Sequence, residues 1–374
     1  MQEIRMVDLK GQYEKIKTEI DSGIQKVIEN TAFINGPAVK EFQKDLEVYL
    51  GVKHVVPCAN GTDALQVAMM GLGLKPGDEV ITTSFTFIAT AEVIALLGLT
   101  PVLVDVCPET FNIDPEAIKK AITSKTKAIV PVHLFGQCAD MEAINDIAKE
   151  HGLFVIEDTA QAIGADYFFK DGTKKKAGTI ADVGCTSFFP SKNLGCYGDG
   201  GAIFTNDDEL AKKMLTVVNH GSNVRYYHDT IGVNSRLDSI QAAVLKVKLP
   251  HLDKYAAARN KAAEYYDKAF ANEPRLKIPV RSGNSTHVFH QYTIVAEGID
   301  REGLIKHLSS KGVPAMVYYP VPMHLQKAYT DPRYKEGDFP VTEYLSKNVF
   351  SLPMHTELDE GQLEFITSSV LGFL

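Results

Sequence analysis

The sequence predicts an α/β protein built on a mostly parallel sheet, and three observations carry that prediction. Short apolar runs recur at HVVPC (54–58), EVITT (79–83), PVLVDV (101–106), KAIVPVH (127–133), LFVIED (153–158), GCTSFF (184–189) and GAIFT (201–205). Most lack the alternation of a half-exposed strand, so they read as strands covered on both faces. Between several of them apolar residues repeat at helical spacing, as in Leu65, Ala68, Met69 and Leu72 or Met141, Ile144, Ile147 and Ala148. The chain also has 374 residues, more than one core usually fills, so a large domain and a smaller one are expected.

Taken in order, the N-terminal MQEIRMVDLKGQYEKIKTEI mixes charges of both signs and lacks the apolar stretch of a secretion signal, so a cytoplasmic chain is expected. The alternating strands and helices then run to about residue 250. There the pattern changes to a long charged-apolar helix, HLDKYAAARNKAAEYYDKAF, and the domain boundary is placed between 1–250 and 251–374. The tail reads as a strand (291–296), a helix (301–311), a strand (314–319) and a last helix (359–371), enough for a small α+β domain.

Composition narrows the function. Thirty-nine Lys+Arg against 47 Asp+Glu give a net charge of −8, which argues against a nucleic-acid binder held by bulk charge. No apolar run reaches the ~20 residues of a membrane span, so no membrane partner is expected. The cysteines, Cys58, Cys107, Cys138, Cys185 and Cys196, are widely spaced and never form C-x-x-C, so neither a disulfide framework nor a metal site is expected.

Three segments could carry chemistry. Asn60-Gly61-Thr62-Asp63 follows a strand and opens a helix, where free amides, a glycine and a hydroxyl suit a phosphate; the ordinary alternative is that Thr62 or Asp63 caps the helix. Asp158 ends a run apolar enough to be buried, at the sheet edge where α/β ligands bind, and the alternative is a salt bridge. Lys192 lies between a strand-like run and the glycines of Cys196-Tyr197-Gly198-Asp199-Gly200-Gly201, where desolvation would depress its pKa toward the neutral amine of a Schiff-base nucleophile. Those glycines do not fit a dinucleotide fingerprint, since Ile203 stands where the third glycine should be. A phosphate cradle, a strand-end carboxylate and a loop lysine are together what pyridoxal 5'-phosphate requires.

The series NGTDAL, SFTFIATA, VIEDTAQAIGA, SFFPSKNLG, GDGGAIFTND, GVNSRLDSIQAAVL and YYPVPMHLQ, in this order, closely resembles the DegT/DnrJ/EryC1/StrS family of pyridoxal-phosphate sugar aminotransferases. The likeness runs from Asp8 nearly to the C-terminus. It implies a fold type I architecture: a seven-stranded, mostly parallel sheet, a small C-terminal domain, and a homodimer with shared active sites. By motif, Lys192 would hold the cofactor in Schiff-base linkage and shuttle the proton, and Asp158 would pair with the ring nitrogen. Gln161 would sit near the phenolic oxygen and Phe87 would cover the ring. Gly61, Thr62 and Ser187 would hold the phosphate, joined by Asn234 of the other subunit. Arg236, Tyr319 and His324 would face the substrates; the bland alternative for His324 is a satisfied core histidine. Tyr318 departs from the His that many relatives carry there, whereas Lys192 is kept where the family's dehydrases carry His.

The implied reaction is ping-pong transamination from L-glutamate to a keto nucleotide sugar. The runs CANGTDAL, FGQCAD and SFFPSKNLGCYGDGGAIFTNDDELA resemble the members that aminate UDP-2-acetamido-2-deoxy-3-oxo-glucuronate for bacterial surface polysaccharide. A 4-keto-6-deoxy sugar is the alternative acceptor, and a regulatory protein that keeps the pocket without turnover is the alternative from another class.

Overall fold

The computed structural model describes residues 3–374. In chain order the first nine strands are β1 (His54–Cys58), β2 (Glu79–Thr83), β3 (Thr100–Val104), β4 (Thr126–Val130), β5 (Phe154–Asp158), β6 (Asp166–Phe168), β7 (Lys174–Lys176), β8 (Val183–Ser187) and β9 (Gly201–Thr205). All but the β6–β7 hairpin join one seven-stranded sheet in the order β1-β9-β8-β5-β4-β2-β3. β9 pairs antiparallel with both β1 and β8, and every other pair is parallel. The sheet is therefore mostly parallel, as the unalternating apolar runs require.

Successive residues of a strand point to opposite faces, and each face here has its own core. Val80, Ala128, Val130 and Ile156 pack with Leu65, Ala68 and Met69 of the helix Gly61–Leu72. Their neighbours Ile81, Ile129 and Val155 pack with Met141, Ile144 and Ile147 of the helix Met141–His151. Because β1, β2, β4, β5 and β8 run the same way, the segments that follow them gather along one edge of the sheet.

A second sheet has the order β10 (Leu276–Lys277), β11 (Tyr292–Ala296) and β12 (Val349–Leu352), all antiparallel. Tyr266 and Phe270 of the long helix Leu252–Phe270 pack with Ile294, Leu304, Phe350 and Ile366 in a separate core. Ile4 joins that core, and Met354 N donates to the Met6 carbonyl at 3.1 Å, so the start of the chain packs with the C-terminal elements although the sequence reading grouped it with 1–250.

The expected strand at 314–319 does not form. Only Met316 exchanges backbone hydrogen bonds with Ser351, after which the chain leaves the sheet edge and carries Tyr319 to Gln161. On the side away from β10, β11 pairs instead with β12, reached directly from the helix Pro340–Asn348, and neither element was anticipated. Among the described residues no helix is long and apolar enough to cross a membrane.

Candidate active site

Helix Gly61–Leu72 starts just past β1. Its cap is Asn60, whose side chain accepts from Asp63 N at 2.8 Å, rather than Thr62 or Asp63. The amides of Gly61 and Thr62 in that first turn have no intrahelical acceptor. Gly61 lies so close to β8 that a Cβ on it would stand 2.6 Å from the Ser187 Cβ. Gly201 allows the same approach from β9, where a Cβ would lie 2.4 Å from the Asn60 carbonyl. Ser187 Oγ accepts from Phe189 N at 3.2 Å, which leaves its hydroxyl hydrogen to donate. Two free amides at the positive end of a helix, one hydroxyl and no room for side chains make a cradle that fits a phosphate.

β5 delivers Asp158, which is 7% exposed. Its Oδ2 accepts from Thr90 Oγ1 at 2.9 Å and its Oδ1 from Ala160 N at 3.1 Å. Burial pushes this carboxyl above its ordinary value, and the Ala160 amide, the Thr90 hydroxyl and the Lys192 charge pull only partly against it. Its direct partners are thus an amide and a hydroxyl, not the contact ion pair of the alternative reading. A carboxylate held this way favours a cation beside it, as a protonated ring nitrogen would be. Its neighbour Glu157 is fully buried on the other side of the strand, where it accepts from Gly178 N, Ile180 N and Ala181 N at 2.7–2.8 Å and from His133 Nε2 at 3.0 Å. Ala139 N donates to His133 Nδ1 at 3.1 Å, so the hydrogen of that ring is on Nε2 and the imidazole is neutral. His133 N also donates to the Asp158 carbonyl at 3.0 Å. This scaffold fixes the strand end on which Asp158 is presented.

The loop after β8 is pinned at its base. Phe188 N donates to the Gly200 carbonyl at 2.7 Å and Cys196 N to the Phe188 carbonyl at 2.8 Å. Lys248 Nζ holds the Gly195 carbonyl at 2.6 Å, and Asn193 Nδ2 the Val288 carbonyl at 2.8 Å. Between these ties Lys192 is partly buried, and desolvation lowers its amine to about 8 against the opposing charge of Asp158. In the cofactor-free protein, labelling of Lys192 by an amine-reactive ester, read by peptide mass spectrometry across pH, is therefore expected to rise with a midpoint near 8. A midpoint near the ordinary 10.5 would show that the amine is not desolvated.

Gln161 joins the two sides of the cleft. Its Oε1 accepts from Phe135 N at 2.8 Å and its Nε2 donates to the Tyr319 hydroxyl at 3.0 Å. Burial, with the Asp158 charge nearby, keeps the Tyr319 proton on. Phe87, 55% exposed, lies with its ring 6.4 Å from that of Tyr319 at 46°.

The remaining expected residues sit elsewhere. Ser235 is buried and accepts from Ala59 N at 3.1 Å, so it faces the cradle of its own chain. Asn234, next to it, is exposed and Arg236 is partly buried. His324 does not face the cleft as expected. Its side chain is fully buried, with Nδ1 2.8 Å from Ser84 Oγ and Nε2 3.1 Å from Glu343 Oε1, because the 320s segment packs down on the end of β2. Thr90, Glu157 and His133 were not anticipated as part of the site. Thr90 lay in the SFTFIATA run, whose Thr-rich helix start after a strand was the available signal.

The chain matches the model of the DegT/DnrJ/EryC1/StrS aminotransferase family over residues 14–371. It is 48% identical over 372 residues to a "Pleiotropic regulatory protein" of Geobacillus stearothermophilus, covering 99% of this chain and 98% of that one. It is 47% identical over 367 residues to the UDP-2-acetamido-2-deoxy-3-oxo-D-glucuronate aminotransferase of Pseudomonas aeruginosa, covering 98% and 99%. It superposes on the crystal structure of S. venezuelae DesV in complex with a ketimine intermediate with a TM-score of 0.95, at 39% identity and covering 99% and 98%.

Proposed function

Because this chain belongs to the DegT/DnrJ/EryC1/StrS aminotransferase family and is a pyridoxal-phosphate transaminase, we propose that it moves the amino group of L-glutamate to UDP-2-acetamido-2-deoxy-3-oxo-glucuronate, for surface polysaccharide. The observation that carries the chemistry is the meeting, at one sheet edge, of an anion-ready helix start, a buried carboxylate and a desolvated lysine. Pyridoxal phosphate, when bound, supplies a ring that withdraws electrons from the carbon losing its proton. Gly61, Thr62 and Ser187 bind its phosphate. Asp158 would hold a proton at the ring nitrogen, and Lys192 Nζ would anchor the cofactor and serve as the group that carries the proton of the reacting carbon. Phe87 covers the ring against water, and Gln161 orients its phenolic side together with Tyr319.

The acceptor rests on the 47% identity to an enzyme named for it and on the resemblance that the CANGTDAL and FGQCAD runs suggested. Aminating a panel of keto nucleotide sugars with the glutamate-treated enzyme tests it: the 3-oxo-glucuronate should turn over fastest, and preference for a 4-keto-6-deoxy sugar would replace it. A regulatory reading has the names of two relatives in its favour, one called a pleiotropic regulatory protein and the other a sensory transduction protein. It predicts no 2-oxoglutarate on addition of glutamate, whereas the transaminase releases it.

Asn234 is exposed on its own chain, which suits service to the site of a second subunit in a homodimer, with Arg236 beside it. Mixed Lys192→Ala and Asn234→Ala chains, each weak alone, should then recover activity on subunit exchange. One site of each hybrid dimer collects both intact groups, for about half the wild-type rate per hybrid. Lys192→Ala mixed with Asp158→Ala, residues of one subunit, should give no gain. Verified exchange without recovery in the first mixture would remove the shared site.

A further inference from the structure

His324 is tied at both ring nitrogens to parts of the chain that are distant in sequence. Ser84 follows β2; its carbonyl accepts from Met323 N at 3.0 Å, and its Oγ lies 2.8 Å from His324 Nδ1. Glu343, on the helix Pro340–Asn348, places Oε1 3.1 Å from His324 Nε2 and accepts from Gly337 N at 2.7 Å with the same oxygen. Burial opposes its charge, but the Gly337 amide and His324 outweigh that and hold the carboxyl below its ordinary value. An ionised Glu343 only accepts, so Nε2 carries a hydrogen and Nδ1 pairs with the Ser84 hydroxyl, which can donate or accept. The same helix is seated a second time by Asp105, just past β3, which accepts from Val341 N, Thr342 N and Thr342 Oγ1 at 2.7–3.0 Å and supplies the cap that Phe339 does not. Phe339 stands edge-on to the His324 ring at 4.7 Å.

The position of this chain of groups matters. Ser84 lies three residues before Phe87, and His324 five residues after Tyr319. Phe85 between them meets Tyr319 edge-on at 6.2 Å. Apolar packing is non-directional and would leave the angle between the two segments loosely set. A buried, fully partnered polar chain admits one arrangement.

We propose that Ser84, His324 and Glu343 form a positioning chain that locks the Ser84–Phe87 turn to the Tyr319 segment, so that Phe87 and Tyr319 meet the cofactor in register with Asp158 and Lys192. This rests on the reading of Phe87 and Tyr319 as cofactor neighbours. None of the three groups touches the reacting atoms; they act through the two aromatic residues.

Glu343→Gln keeps an acceptor for Nε2–H and Gly337 N–H, Glu343→Ala removes it, and His324→Asn keeps a polar atom toward Ser84 but cannot reach Glu343. The first readout is amide hydrogen exchange in the cofactor-free proteins. Glu343→Ala and His324→Asn should speed exchange at Met323 about tenfold or more with Ala160 and Asp63 unchanged, and Glu343→Gln should restore protection. The second is the holoenzyme: visible circular dichroism of the bound cofactor should weaken in the first two variants, and kcat with glutamate should fall about a hundredfold with KM little changed, the size expected of a misplaced group. Glu343→Gln should again resemble wild type. The proposal is overturned if Met323 exchange does not respond, if all amides speed up equally, if Glu343→Gln behaves as Glu343→Ala, or if exchange responds while kcat and the dichroism stay put. If wild type itself does not transaminate, the functional reading fails while the exchange result still decides the lock between segments.

Discussion

Lys192→Ala is expected to lower transamination by at least about 10⁴-fold while the protein still folds, because one amine serves both as covalent anchor and as proton carrier. The fold should survive because Lys192 contributes little to it. Its backbone N–H bond to the Phe189 carbonyl is kept by alanine, and its Nζ makes no hydrogen bond among the described residues. Removing a desolvated amine also removes a group whose charged form the site disfavours. The one competitor is Lys248, a second buried lysine whose amine burial lowers to about 8. It is committed to the Gly195 carbonyl at 2.6 Å and lies over the Tyr197 ring at 5.4 Å, at the base of the loop rather than in the cleft. Single-turnover conversion of glutamate by the purified variant, with far-ultraviolet circular dichroism as the folding control, checks this. Turnover within about a hundredfold of wild type would transfer the proton-carrying role to another group.

How far the sequence was legible depends on the range of the interactions involved. The strands β1, β2 and β9 lie on the residues their apolar runs marked, because each is covered on both faces and local composition reports that directly. The edge-gathering of Gly61, Asp158, Ser187 and Lys192 followed from strand direction, which the alternation of strands and helices already implied. What stayed hidden needed contacts between distant segments. His324 sits in a motif that names its position, but its burial is decided by Ser84 and Glu343, 240 and 19 residues away. The run 314–319 is apolar enough for a strand, and only tertiary structure diverts it after Met316. The four residues of β12 follow a helix with no turn signal between them. Thr90 meets Asp158 across 68 residues of sequence, a contact that no local pattern reports.

Asp158→Ala is expected to reduce turnover by about 10²–10³-fold, the scale of losing one group preorganised against charge that develops in the transition state. Without a carboxylate beside it the ring nitrogen loses the partner that keeps it protonated, and an unprotonated ring is a weaker sink for the electron pair left on the reacting carbon. Phosphate binding should persist, because Gly61, Thr62 and Ser187 lie on other strand ends. Stability must be separated from this loss, and the sign can be worked out. Burial raises the Asp158 pKa above 3.8 in the folded, cofactor-free protein, so its ionised form is favoured less folded than unfolded. Its contribution to stability is therefore greatest at acid pH and is lost as pH rises through the folded value. At neutral pH the apo protein carries the cost of that charge, and Asp158→Asn, whose Oδ1 still accepts from Ala160 N while its Nδ2 can donate to the Thr90 hydroxyl, should melt no earlier than wild type. Comparing Asn and Ala variants by thermal unfolding without cofactor, and by single-turnover rate with it, tells the roles apart. Both should be slow, since neither presents a charge to the ring nitrogen. A variant that melts early yet reacts within a few-fold of wild type would make Asp158 a support of the β5 end and nothing more.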